Sequence, residues 1–117
     1  MFARQTAHES ISTAIRNRRA TGQPALIAYI TAGFPKRETF IQQLNAVAAV
    51  ADVVEVGVPV TDPMADGTTI QRSSRVALEQ GVSLRWILQE LSRADVKPQA
   101  PLLLMSYLNP LLAYGLD

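Results

Sequence analysis

A chain of 117 residues, 48% hydrophobic and 18% charged, is long enough for one core yet near the lower end of ordinary domain sizes, so one domain or part of one is expected. The formal net charge of +1 gives no electrostatic reason to expect nucleic acid or an anionic membrane as partner, which leaves small molecules and proteins. With no cysteine and a single histidine, His8, the sequence excludes a disulfide framework, thiolate chemistry and a clustered metal site. The stretch Met1 to Arg19 mixes charges of both signs, and no segment reaches the roughly 18 apolar residues of a membrane span. A soluble cytoplasmic chain is therefore expected.

Ile11, Ala14 and Ile15 recur at helical spacing over residues 8 to 19, with Arg16, Arg18 and Arg19 where cations suit the helix dipole. After "GQP", the apolar run Ala25 to Thr31 has strand length and the continuity of a strand buried on both faces. "AGFPK" turns the chain into a helix marked by Phe40, Leu44, Val47 and Ala48 and lasting to about Ala51. "DVVEVGV" reads as the second strand. Beyond a loop rich in Pro and Asp, Ile70, Ala77 and Leu78 predict a helix ending at Gly81. Ser83 is placed to cap a further one through Leu84, Ile87, Leu88 and Leu91. "KPQAP" breaks the chain again, Leu102 to Tyr107 reads as a third buried strand, and "LNP" begins another connection.

Apolar strands alternating with helices are the pattern of βα units in a parallel sheet, so the fold class is α/β. A doubly wound open sheet and a (β/α)₈ barrel both fit. The missing G-x-G-x-x-G fingerprint favours the barrel only slightly.

Strand periodicity sets Val53, Glu55 and Gly57 on one face and Val54, Val56 and Val58 on the other. A carboxylate near the C-terminal end of a buried parallel strand lies where such folds gather ligands. Partial desolvation there would tend to raise its pKa towards the range useful for proton transfer. Gly57 on the same face is expected to leave room for a ligand. The plainer alternative is a structural carboxylate paired with an Arg. Asp62 and Asp66 share a loop with Pro59, Pro63 and Gly67, residues that favour a shaped backbone. Either Asp could instead serve a turn, and Asp66 could cap the next helix. A strand-end Glu and a loop Asp can also occupy one pocket in different environments, one holding a proton and the other ionised.

The segment "VEVGVPVTDPMADGTTIQ", Val54 to Gln71, resembles the signature region of the tryptophan synthase alpha subunit family. "AYITAGFP", Ala28 to Pro35, is similar to that family's first strand and turn, and "LLMSYLNP", Leu103 to Pro110, to its third strand and following turn. Val60 and Thr68 depart from the usual aromatic and Pro, which implies altered packing around the pocket. The resemblance implies a (β/α)₈ TIM barrel, present here as an N-terminal portion of about three βα units within a single domain over residues 1–117. It implies a retro-aldol cleavage of indole-3-glycerol phosphate to indole and glyceraldehyde 3-phosphate, with Glu55 as acid/base and Asp66 as second catalytic carboxylate.

By the same resemblance, Tyr29 and Met105 line an indole pocket with Tyr107 beside it, though barrel core is an equal alternative for these three. Asp62 and Pro63 would meet a beta subunit in an α2β2 heterotetramer. No metal or cofactor is implied on this chain, since pyridoxal phosphate belongs to the beta subunit. A barrel usually takes about 250 residues, so the strands, mobile loop and phosphate-binding loops of the later units are expected to lie outside this sequence. A non-catalytic remnant that docks on a beta subunit, or another phosphate-sugar barrel enzyme, are the alternatives.

Overall fold

In the computed structural model, residues 6–61, 65–95 and 97–115 are described. Helix α1 spans Ala7–Ala20 and opens with a reciprocal cap that the sequence reading missed: Thr6 Oγ1 accepts from the Glu9 N–H, and Glu9 Oε2 accepts from the Thr6 N–H. Strand β1 is Ile27–Thr31. A short 3₁₀ turn, Arg37–Thr39, leads into α2, Phe40–Ala48, which stops three residues before the expected Ala51. Strand β2 is Val53–Gly57, and α3 (Thr68–Glu79) and α4 (Leu84–Arg93) together form the crossover to β3, Leu102–Met105. That last strand is shorter than predicted, because Tyr107 already N-caps α5, Leu108–Tyr114. Pro110 falls in the first turn of α5, where its missing N–H removes no intrahelical bond.

The three strands form one parallel sheet in the order β1-β2-β3. Its register pairs Tyr29 with Glu55 and Thr31 with Gly57 on one side, and Glu55 with Leu103 and Gly57 with Met105 on the other. These residues share a face, as the period of two requires. The opposite face carries Val54 and Val56, which are fully buried against Phe40 and Leu44 of α2, Ala77 of α3 and Ile87 of α4. Fully burying each of the larger side chains contributes about 1.5–3 kcal/mol. The helix-covered face is therefore where this molecule's stability is concentrated.

The break between α3 and α4 is specified by Gly81, at φ +81°. There the Gly81 N–H reaches the Leu78 carbonyl and the Val82 N–H the Ala77 carbonyl, a Schellman closure that a residue with a Cβ would strain. Ser83 then caps α4 as expected, its hydroxyl accepting from the Trp86 N–H at 3.1 Å. Gln80 at the same corner binds the connection that follows β1. Its Nε2 donates to the Pro35 carbonyl at 2.8 Å, and its Oε1 accepts from the Arg37 N–H at 2.9 Å. The β1–α2 connection is thus latched to the end of α3 without any apolar signal in the sequence.

At the N-terminal ends of β1 and β2, Asp52 joins α1 to the strands. It accepts from Arg18 Nε at 3.0 Å and from the Leu26 N–H at 2.8 Å. The backbone donor is the main cause, and the Arg18 guanidinium a lesser one, that holds its carboxyl below the usual range. Among the described residues, no helix is long and apolar enough to cross a membrane.

Candidate functional site

Glu55 is the only residue of β2 that is not buried; Val53, Val54, Val56 and Gly57 around it all are. The strand thus brings its single carboxylate to the face opposite the helical core, half-buried and next to Tyr29 in the register. Among the described residues Glu55 has no Arg partner of the kind that a structural carboxylate would need.

Gly57 lies two residues further along the same face, and the space above it is filled differently from the expectation. A Cβ there would collide with the Tyr29 hydroxyl, and it would sit 2.6 Å from the ring carbon that bears it. The room that Gly57 leaves is taken by the Tyr29 ring, which leans across from β1. This corrects the reading of that glycine as direct ligand space, although it keeps Tyr29 beside both carboxylates. Burial, chiefly, pushes the Tyr29 phenol above its ordinary value; the negative charges of Asp66 and Glu55 act in the same direction and a hydrogen bond with Thr31 opposes them. Tyr29 therefore stays a neutral donor near two carboxylates.

Asp66 comes to the site on the β2–α3 loop. Its backbone carbonyl accepts from Gln71 Nε2 at 2.8 Å, and its Oδ2 accepts from the Tyr107 hydroxyl at 3.3 Å. The Tyr107 oxygen also accepts from the Ala65 N–H at 2.9 Å. One phenol just past β3 thus fixes both the backbone and the carboxylate of the loop that follows β2. Asp66 does not cap α3, whose N-cap is Gly67 with no side-chain cap bond. That leaves the carboxylate available to a ligand.

Tyr29, Asp66, Met105 and Tyr107 line one depression of about 200 Å³ together with Val58 and Ser74. Four of the predicted site residues are therefore gathered in one place, with Glu55 set further back along β2 beside Tyr29. Met105, on the last strand of the sheet, is 47% exposed and lines this depression. Asp62 and Pro63 lie outside the described residues. Thr31, Ser73 and Gln71 were not anticipated, for a polar side chain at a strand end or in a helix turn carries no periodic signal. A larger depression of about 490 Å³ runs between Val60, Thr61 and the Arg75 side of α3. Another of about 420 Å³ lies between Pro59 and the Asn109–Pro110 turn of α5. Neither is lined by Glu55 or Asp66, whereas the smaller depression is lined by Asp66 and by Tyr29, the register partner of Glu55, so chemistry and not size identifies the candidate site. Among the described residues no group of three or more His, Cys, Asp or Glu is arranged to hold a metal ion.

Residues 15–117 match the family model described as tryptophan synthase alpha chain. The chain is 50% identical over 104 residues to the tryptophan synthase alpha chain of Nitratidesulfovibrio vulgaris strain Hildenborough, covering 88% of this chain and 40% of that one. It is 48% identical over 111 residues to the alpha chain of Xylella fastidiosa strain M12, covering 91% and 40%. Among solved structures, the alpha subunit from Legionella pneumophila superposes with a TM-score of 0.80 at 34% identity, covering 91% of this chain and 41% of that one. A tryptophan synthase chain from M. tuberculosis, in an open form with BRD0059 bound, does so with a TM-score of 0.81 at 34% identity, covering 92% and 43%. The sequence thus spans about 40% of the length of the curated relatives it matches. Its three βα units have the architecture of the (β/α)₈ barrels it superposes on.

Proposed function

Because the chain belongs to the tryptophan synthase alpha chain family, we propose that it supplies the two carboxylates that cleave indole-3-glycerol phosphate to indole and glyceraldehyde 3-phosphate. The observation that carries this reading is the placement of Tyr29, which pairs with Glu55 across the β1–β2 register and lines, together with Asp66, a depression of about 200 Å³. Residues 1–117 would be the N-terminal part of a single barrel domain.

In this reading Glu55 moves the protons. Protonation at indole C3 makes an indolenine-like cation, and loss of the proton from the adjacent glycerol hydroxyl turns that carbon into the aldehyde as the carbon–carbon bond breaks. The bonding electrons return to the ring and restore the aromatic indole. Asp66 faces the ring N–H, where positive charge grows, and an anion held there lowers the barrier. Tyr107 holds that anion and Gln71 the backbone carbonyl of the same residue, so the carboxylate need not reorganise during the step. Tyr29 and Met105 would bound the indole.

The reaction needs no cofactor on this chain; pyridoxal phosphate would belong to a beta subunit. Such a partner, in an α2β2 arrangement, would be met by Asp62 and Pro63 and by the neighbouring groove between Pro59 and the Asn109–Pro110 turn.

The test is indole release from indole-3-glycerol phosphate, measured with and without a beta subunit. Glu55→Gln and Asp66→Asn are each expected to lower the rate by about 10²–10⁴-fold, the range typical of lost acid–base or charge-stabilising groups. Normal indole production by Glu55→Gln would instead favour a different phosphate-sugar enzyme. Stimulation of a beta subunit with no indole released by the wild type would favour a docking remnant.

A further inference from the structure

We infer that Gly57, Thr31 and Ser73 form a seat for the Tyr29 side chain, and that this seat sets how large an aromatic ring the depression beside Asp66 accepts. The inference rests on the proposed indole site and adds the residues that determine its ring-size selectivity.

Tyr29 and Thr31 are two residues apart on β1, so their side chains leave the same face. The Tyr29 hydroxyl and Thr31 Oγ1 share a hydrogen bond of 3.1 Å. Thr31 Oγ1 in turn pairs with Ser73 Oγ at 2.7 Å, and Ser73 Oγ donates to the Ile70 carbonyl at 3.0 Å. Thr31 and Ser73 are 6% and 7% exposed, so this run of hydroxyls is shielded from water and each member depends on the next. It fixes the phenol along β1 and ties it to α3, the helix that follows the Asp66 loop.

Gly57 supplies the other half of the seat. It pairs with Thr31 across the β1–β2 register, and the Tyr29 ring lies where its Cβ would be. Any larger residue at 57 forces the ring outward, and the adjoining depression of about 200 Å³ is the open space nearest to it. The wall is therefore held by polar contacts at its tip and by an absence of side chain beneath its ring. A hydrophobic reading of Tyr29 as filler would need neither.

The experiment compares indole with phenol, a one-ring probe, on the wild-type protein and on Gly57→Ala, Gly57→Ala/Tyr29→Leu and Thr31→Val. Gly57→Ala is expected to weaken indole binding by about tenfold while phenol changes by less than about threefold, since a displaced wall excludes the second ring first. Shortening the displaced side chain in the double variant should restore the preference for indole. Thr31→Val removes the anchor without changing volume, and should weaken the nuclear Overhauser contact between the Tyr29 ring and the Gly57 Hα. That contact is expected in the wild type and can be measured even if a variant does not fold; its absence there would overturn the seat. Equal losses for the two probes, or none, would overturn its role in selectivity while leaving the proposed reaction untouched. A wild type that shows the contact but binds no indole would overturn the indole reading, and with it the selectivity.

Discussion

Two faces of one strand meet different fates in this molecule. Val54 and Val56 point into a helix-covered core and are fully buried, whereas Glu55 between them points to an open face with Tyr29, Leu103 and Met105. The outer face is held by many apolar contacts that no single polar group controls. The inner face depends on a few directed hydrogen bonds, from Thr31 to the Tyr29 phenol and from Tyr107 to the Asp66 loop. From Val54 onward stability and chemistry are thus separated by residue parity along β2, Val53 at the strand's start being buried although it shares the parity of Glu55, and a change on one face is expected to leave the other largely intact.

The largest effect should come from the covered face. Leu44→Ala removes a fully buried side chain and is expected to cost about 2–5 kcal/mol in urea unfolding. Leu103→Ala, on the open face at 42% exposure, should stay within about 0.5 kcal/mol. Equal losses at the two sites would erase the distinction between the faces.

A smaller and more local effect is expected at Tyr107. Tyr107→Phe keeps the ring but removes two hydrogen bonds to the loop, each worth roughly 0.5–1.5 kcal/mol. The Ala65 amide should exchange with solvent about tenfold faster while the global unfolding midpoint hardly moves. Indole release should fall with Asp66 less firmly held. A lowered midpoint without faster exchange at Ala65 would show that Tyr107 supports the core instead.

The smallest effect concerns the tie between α1 and the strands. Asp52 is held below its ordinary value, so its contribution is complete above the unfolded-chain value of about 3.9 and disappears as pH falls through the lower folded value. Asp52→Asn should therefore unfold slightly earlier than the wild type at neutral pH, and the gap should close as pH falls through the lowered folded value. A gap that persists in acid would assign the loss to packing and not to charge.

The elements of the covered face were legible in the sequence because burial writes a period. Phe40, Leu44 and Ala48 recur every four residues on α2, and the valines of β2 alternate with Glu55. The strand ends were less legible: β1 starts two residues after Ala25, with exposed Leu26 continuing the apolar run ahead of it, and β3 stops two before Tyr107, which already N-caps α5. Glu55 stands out as a carboxylate within a run of valines, whereas Asp66, equally suited to a turn, is singled out only by its pairing with Glu55 and by the family resemblance. Tyr107 was placed at the site from its resemblance alone, and its grip on Ala65 and Asp66 depends on a contact across 41 residues of sequence that no local pattern records. The Thr31–Ser73 pair was missed for the same reason.

The sheet order β1-β2-β3 repeats the order of the chain, with every strand beside its immediate predecessor. A polypeptide emerging from the ribosome can therefore dock each new βα unit on the one just completed, with no earlier pairing opened to admit it. β3 is the last of the three to dock, so the pairing of Tyr29 with Glu55 across β1 and β2 can already be in place when Leu103 and Met105 arrive beside it.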